Sequence, residues 1–154
     1  LKHPELRGKD VETTRKACAR FSDEPTTVIN FVEGTRYTPE KAGSVRSPYR
    51  HLMPPKAAGL SLALAGLGEQ FEKIVNVTLD YPDNLQHPFR DLLCGRMKRI
   101  RVRIEEVPIT SQLRGDYIND KQFKRQFQLW LNGLWQAKDL QLTAIKNADT
   151  PPGA

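Results

Sequence analysis

The sequence predicts an α/β fold, a layered parallel or mixed sheet with flanking helices, on three observations. Short apolar or alternating runs recur at 26–31, 73–79 and 98–104, each of strand length and bounded by turn residues. A helix-length stretch opened by Pro54-Pro55 separates the first two, giving the strand-helix-strand order of a right-handed parallel crossover. A long amphipathic segment near the end supplies a helix to cover the sheet.

Taken in order, residues 10–21 read as a helix with Asp10 as N-cap and Val11, Thr14, Cys18 and Phe21 on one face. A buried strand follows at 26–31. Residues 32–54 show no clear period and carry Gly34, Pro39, Gly43 and Pro48, so they are expected to form a long functional or mobile loop. The proline pair then opens a helix running to about Leu67, because proline is tolerated in a first turn. The second strand is expected at 73–79, turn chemistry at 80–88, a short helical turn at 89–94 and the third strand at 98–104. In that last strand Ile100, Val102 and Ile104 share one face, while Arg99, Arg101 and Arg103 share the other, read as a solvated outer face. A sharper reading makes the arginines a patch for anionic lipid.

The closing helix is capped by Asn119 or Asp120, and Phe123, Phe127, Trp130, Leu131, Leu134 and Leu142 form its apolar stripe. That stripe is expected to cover the α/β core, although Trp130 and Trp135 with Lys121, Lys124, Arg125 and Lys138 would also suit a membrane interface. Residues 1–145 therefore read as one unit and 146–154 as a disordered polar tail.

A chain of 154 residues, 38% hydrophobic and 27% charged, suits one domain with a single core. The longest weakly polar window, 57–68, falls far short of the roughly 20 apolar residues a bilayer span needs. A net charge of +6 suits anionic partners without choosing among phospholipid headgroups, coenzyme A phosphates, an acidic carrier protein or nucleic acid. Nucleic acid is disfavoured, since no aromatics interleave with the basic patch. Cys18 and Cys94 are far apart and lack histidines at ligand spacing, so no metal site is expected and both thiols should be free.

The densest polar chemistry follows the first strand, where Glu33-Gly34-Thr35-Arg36 succeeds Val28, Ile29 and Phe31. An arginine fork matches phosphate oxygens, a glycine lets a ligand come close, and a glutamate can accept from a hydroxyl or hold the arginine. Without further context such a turn is commonly an ordinary one with a surface ion pair. Lys56 stands where a helix begins, a place that already favours an anion. Two other patterns read as local structure. Asp80 and Asp83 belong to a turn rather than a carboxylate pair, and Ser61 is a helix residue, because a nucleophile elbow needs a preceding strand.

The Glu33-Gly34-Thr35-Arg36 block, with Tyr37-Thr38, the run from Leu52 to Gly59 and the strand from Ile74 to Leu79 leading into Tyr81-Pro82, resembles the third and fourth sequence blocks of the glycerolipid, or lysophosphatidic acid, acyltransferase family. An apolar Val32 in place of a common proline is similar to the lysocardiolipin-acyltransferase branch and its bacterial membrane relatives. The resemblance spans about residues 1–142. It implies acyl transfer from acyl-CoA or an acyl-carrier protein to a lysophosphatidic acid type acceptor in phospholipid metabolism, without a cofactor or metal. Arg36 would hold the acceptor phosphate, Glu33, Gly34 and Thr35 would shape the pocket, and Lys56 would add a positive charge.

The family's His-x-x-x-x-Asp base is missing. The residues five positions after His3, His51 and His87 are Gly8, Lys56 and Leu92, so no catalytic residue is expected in this chain. The resemblance then implies the C-terminal portion of an enzyme at the cytoplasmic face of the inner membrane. The rival reading is a non-catalytic basic module that docks on anionic lipid or nucleic acid.

Overall fold

The computed structural model describes residues 27–67, 70–83 and 87–148, which form a mixed α/β unit with a two-stranded sheet and four α-helices. The helix expected at 10–21 lies outside the described residues.

Residues 27–31 run into the motif without joining the sheet. The crossover expected from a strand there is therefore not formed among the described residues, and the sheet consists of two antiparallel strands. The expected loop holds a short helix, α1 (Pro39–Ser44). Its start signals were present in sequence: Thr38 caps it by accepting from Lys41 N, Pro39 opens it, and Glu40 sits in the first turn. Helix α2 (Ala57–Leu67) follows the proline pair as expected, with Ser61 fully buried inside it.

Strand β1 (Lys73–Asp80) pairs with β2 (Arg101–Pro108), Lys73 facing Pro108 and Asp80 facing Arg101. Between them lies α3 (Pro88–Leu93). The second partner strand thus begins three residues later than the alternation at 98–104 suggests, because the pairing register carries it on through Val107. Helix α4 (Lys121–Ala148) is capped by Asp120, whose Oδ1 accepts from Gln122 N and Phe123 N at 2.8 and 3.0 Å. It runs three residues into the expected tail; 149–154 lie outside the described residues.

The core forms where α4 meets α2 and the 49–57 loop, with Phe127 and Leu131 fully enclosed among Tyr49, Leu52, Ala57, Leu64 and Leu142. The apolar stripe of α4 is therefore buried, as expected, but against α2 and the 49–57 loop and not against the apolar side of the sheet. Gly115 makes room for this packing, since a Cβ there would lie 2.6 Å from Phe123 Cδ2.

The hairpin is turned opposite to expectation. The polar face that carries Arg101 meets α4: Arg101 reaches Asp80 at 3.6 Å and the Ile145 carbonyl at 3.4 Å, and Asn76, Thr78 and Asp80 are buried there, while Arg99 and Arg103 stay exposed as expected. Val75, Val77, Leu79, Val102 and Ile104 stand on the other face, 44–63% exposed. Alternation fixes which residues share a face, whereas the position of α4 decides which face is covered.

Candidate functional site

The motif begins with a tight turn in which Gly34 N donates to Phe31 O at 2.9 Å. Gly34 has φ +65°, a left-handed conformation that disfavours any residue with a Cβ. A side chain there would also approach the Lys56 ammonium, 3.2 Å from an added Cβ. The turn is tied to the start of α2 by Lys56 N donating to Val32 O at 2.7 Å. Gly34 and Lys56 are thus brought together.

Thr35 and Arg36 project outward. Thr35 Oγ1 accepts from Lys41 Nζ at 3.2 Å, which brings a cation from α1 to the motif. The Arg36 guanidinium lies 5.6 Å over the Phe89 ring of α3. Lys41 was not among the expected site residues. Its signal was the missed α1, since one helical turn after Thr38 returns residue 41 toward Thr35.

Glu33 points inward. Its Oε2 accepts from Met53 N at 2.9 Å, fastening the motif to the loop before α2. Burial pushes this carboxyl above the ordinary glutamate range, opposed by the Met53 bond, the neighbouring Trp135 indole and the positive charge of Lys138. Trp135 Nε1 does not reach hydrogen-bond geometry with any partner, so its influence on Glu33 is through proximity. Glu33 therefore holds the turn in place, a narrower role than lining an acceptor pocket.

Lys138, which would suit a headgroup surface only if α4 lay on a membrane, is buried, 7% exposed. Its Nζ donates to Val77 O at 2.9 Å and lies 4.6 Å over the Trp135 ring. Burial lowers its pKa from the ordinary lysine value, while Glu33 and Glu105 pull it back up. Motif, α4 and β1 thus meet around one buried cation. The sequence signal was its spacing: Lys138 falls three residues after Trp135 and four before Leu142 on the apolar stripe.

The loop behind the motif is pinned mainly by α4. Asp139 is buried, and its two oxygens accept from Arg50 N at 2.9 Å and His51 N at 2.7 Å. Gln128 donates to Pro55 O, Tyr49 to Asn132 O, and Tyr37 to Arg50 O. His51 Nε2 lies 3.1 Å from Thr143 Oγ1, and burial lowers its pKa despite the nearby Asp139. None of these contacts gives His51 an aspartate oriented on its ring.

Asp80 and Asp83 behave as separate anchors. Asp80 takes Lys146 at 3.0 Å, and Asp83 receives both Arg99 Nε and Nη2, at 2.8 and 3.0 Å. Cys94 is free and exposed, and no group of three or more metal-binding side chains occurs among the described residues. Within the same residues, no helix is long and apolar enough to cross a membrane. Two open clefts, of about 280 and 350 Å³, lie around Trp130 and around Leu129. They touch none of the motif residues; the cleft at Leu129 is also cationic, lined by Lys121, Lys124 and Arg125 along α4, but it has no glycine turn at which a ligand could approach the backbone.

What the arrangement can do is hold an anion: Arg36, Lys41 and Lys56 are exposed cations around an exposed Gly34-Thr35 turn, and the adjacent acid is turned inward. No family model, no curated protein and no solved structure matches the chain.

Proposed function

We propose that this chain supplies the acceptor-phosphate site of a glycerolipid acyltransferase. The observation that carries the reading is the set of three exposed cations, Arg36, Lys41 and Lys56, around a glycine turn whose acid is committed to Met53 N. Such a surface offers charge-assisted hydrogen bonds to a phosphomonoester and leaves room for its glycerol beside Gly34.

In this reading the acceptor is a lysophosphatidic acid. Its glycerol hydroxyl attacks an acyl thioester carried by coenzyme A or a carrier protein, and the thiol departs. The hydroxyl proton needs a general base, which this chain does not supply: no histidine is followed five residues later by an aspartate. The described unit accordingly belongs to a layered acyltransferase domain that works at the cytoplasmic face of the inner membrane, and alone it catalyses no acyl transfer. The missing base equally favours a second reading, a non-catalytic basic module on anionic lipid.

Calorimetric titration with a short-chain lysophosphatidic acid, kept below its micelle concentration, tests the site. Arg36→Ala should weaken binding by on the order of tenfold or more, as the loss of a charge-assisted bond implies. Arg36→Lys should fall between, because it keeps the charge and loses the planar fork. Equal affinity in all three proteins would reduce Arg36 to a turn residue and remove the basis of the assignment.

A further inference from the structure

We propose that the apolar face of α3 docks this chain on an anionic phospholipid bilayer, placing Arg36 at headgroup depth. The reading above is extended by this and does not decide it. Acceptor recognition is read with monomeric lipid, docking with vesicles.

Helix α3 buries none of its six residues. Phe89, Leu92 and Leu93 follow i, i+3, i+4 spacing, share one face, and are 51–71% exposed. Three large apolar side chains on one short helix form a patch that the chain's own core does not explain. The Arg36 guanidinium stacks on Phe89, so motif and patch are one surface. Phe31 adds a further exposed aromatic, held beside Gly34 by the turn bond.

Charge names the partner. Arg90 is exposed within α3, and Arg96, Lys98 and Arg99 follow it, also exposed. The nearby acids are each engaged by an arginine, Asp91 by Arg96 at 3.2 Å and Asp83 by Arg99 at 2.8 Å. A protein-protein contact depletes charge from its apolar centre. Here Arg90 lies between Phe89 and the leucines, and Arg96, Lys98 and Arg99 follow at the edge of the patch; their long stems let the charged ends rise to headgroups while leucine and phenylalanine enter the acyl boundary. The outward face of the hairpin lacks this surplus of cations: Val75, Val77, Leu79, Val102 and Ile104 share it with one ion pair, Lys73 to Glu106 at 2.7 Å.

The test is co-sedimentation of the 154-residue chain with vesicles of phosphatidylcholine alone and of phosphatidylcholine containing phosphatidylglycerol. Binding to the anionic vesicles is expected, weakening as salt rises. The double variant Leu92→Ser, Leu93→Ser should reduce partitioning on the order of tenfold or more, given the apolar groups withdrawn from lipid. Arg90→Glu should reduce it independently of any packing change, and Ile104→Ser should leave it as it was. With Cys18→Ser, a polarity-sensitive dye on Cys94, next to Leu93, should shift to the blue on the anionic vesicles. Several results would overturn the proposal: no binding to anionic vesicles at low salt, equal binding to phosphatidylcholine alone, or loss through Ile104→Ser with the leucine pair silent. Self-association through α3 without vesicle binding would make the face an interface between copies and overturn it as well.

Discussion

Two apolar stripes meet opposite fates in this molecule. On α4, Phe123, Phe127, Leu131 and Leu142 are buried, while on the hairpin Val75, Val77, Leu79, Val102 and Ile104 face outward. The helix does not rest on the hairpin's apolar side. It lies across the polar side, joined through Lys138 to Val77 O, Lys146 to Asp80, and Gln141 to Glu105 at 2.8 Å. That junction leaves Asn76 Nδ2, Thr78 Oγ1 and Gln141 Oε1 buried without partners, and such groups cost stability instead of adding it. Two sources of cohesion are at work: packing secures α4 to α2 and the 49–57 loop, whereas charge and hydrogen bonds secure it to the sheet. A two-stranded ribbon is marginal by itself and needs such an attachment.

If packing carries the first attachment, the sharpest blow falls at its centre. Phe127 is 1% exposed and touches Phe123, Trp130 and Tyr117 with ring centroids 5.2–6.2 Å away. Phe127→Ala should cost about 3–5 kcal/mol, the transfer and cavity terms of a buried aromatic. Denaturant unfolding followed by tryptophan emission measures this. A loss below about 1 kcal/mol would mean that the stripe is not the stabilising interface, and the contrast with the hairpin would collapse.

The polar attachments come next in size. Asp139→Ala would leave Arg50 N and His51 N without their acceptor, and hydrogen bonds to a charged group are worth more than neutral ones. We expect a loss of about 2–4 kcal/mol. Asp139→Asn keeps one acceptor oxygen and should fall between. Because the clamp positions the loop that meets Glu33 through Met53, lysophosphatidic acid binding should weaken as well as stability. Unchanged stability in Asp139→Ala would show that the loop is held from elsewhere.

Much of the fold was legible because its signals are local. The proline pair before α2, Asp120 before α4 and the apolar run of β1 each specify their element within a few residues. The motif turn was legible for the same reason, since Gly34 occupies a left-handed position beside Lys56. What escaped depends on contacts between distant residues. Glu33 turns inward to reach Met53, Lys138 is drawn off the surface to Val77 O, and residues 27–31 do not join the sheet. Sequence spacing put Lys138 on the buried stripe, yet a lysine on such a stripe reads as solvent-facing until an acceptor for it is known. The orientation of the hairpin is the plainest case. Its period of two separates the arginines from the isoleucines, and nothing in that period says which group α4 will cover.

The smallest expected effect tests the other side of the comparison. Ile104 is 63% exposed and faces Val77 across the hairpin. If the outward face meets water in the isolated chain, Ile104→Ser removes little buried area and sacrifices some strand preference. Its stability change should then stay within about 0.5 kcal/mol, as for surface substitutions generally. Solubility should improve, because an exposed aliphatic is replaced on a flat apolar face. A loss of about 1.5 kcal/mol or more would instead mean that Ile104 is buried in solution. Repeating the measurement at several protein concentrations then identifies the cover, since burial by a second copy makes the loss concentration-dependent and burial within the chain does not.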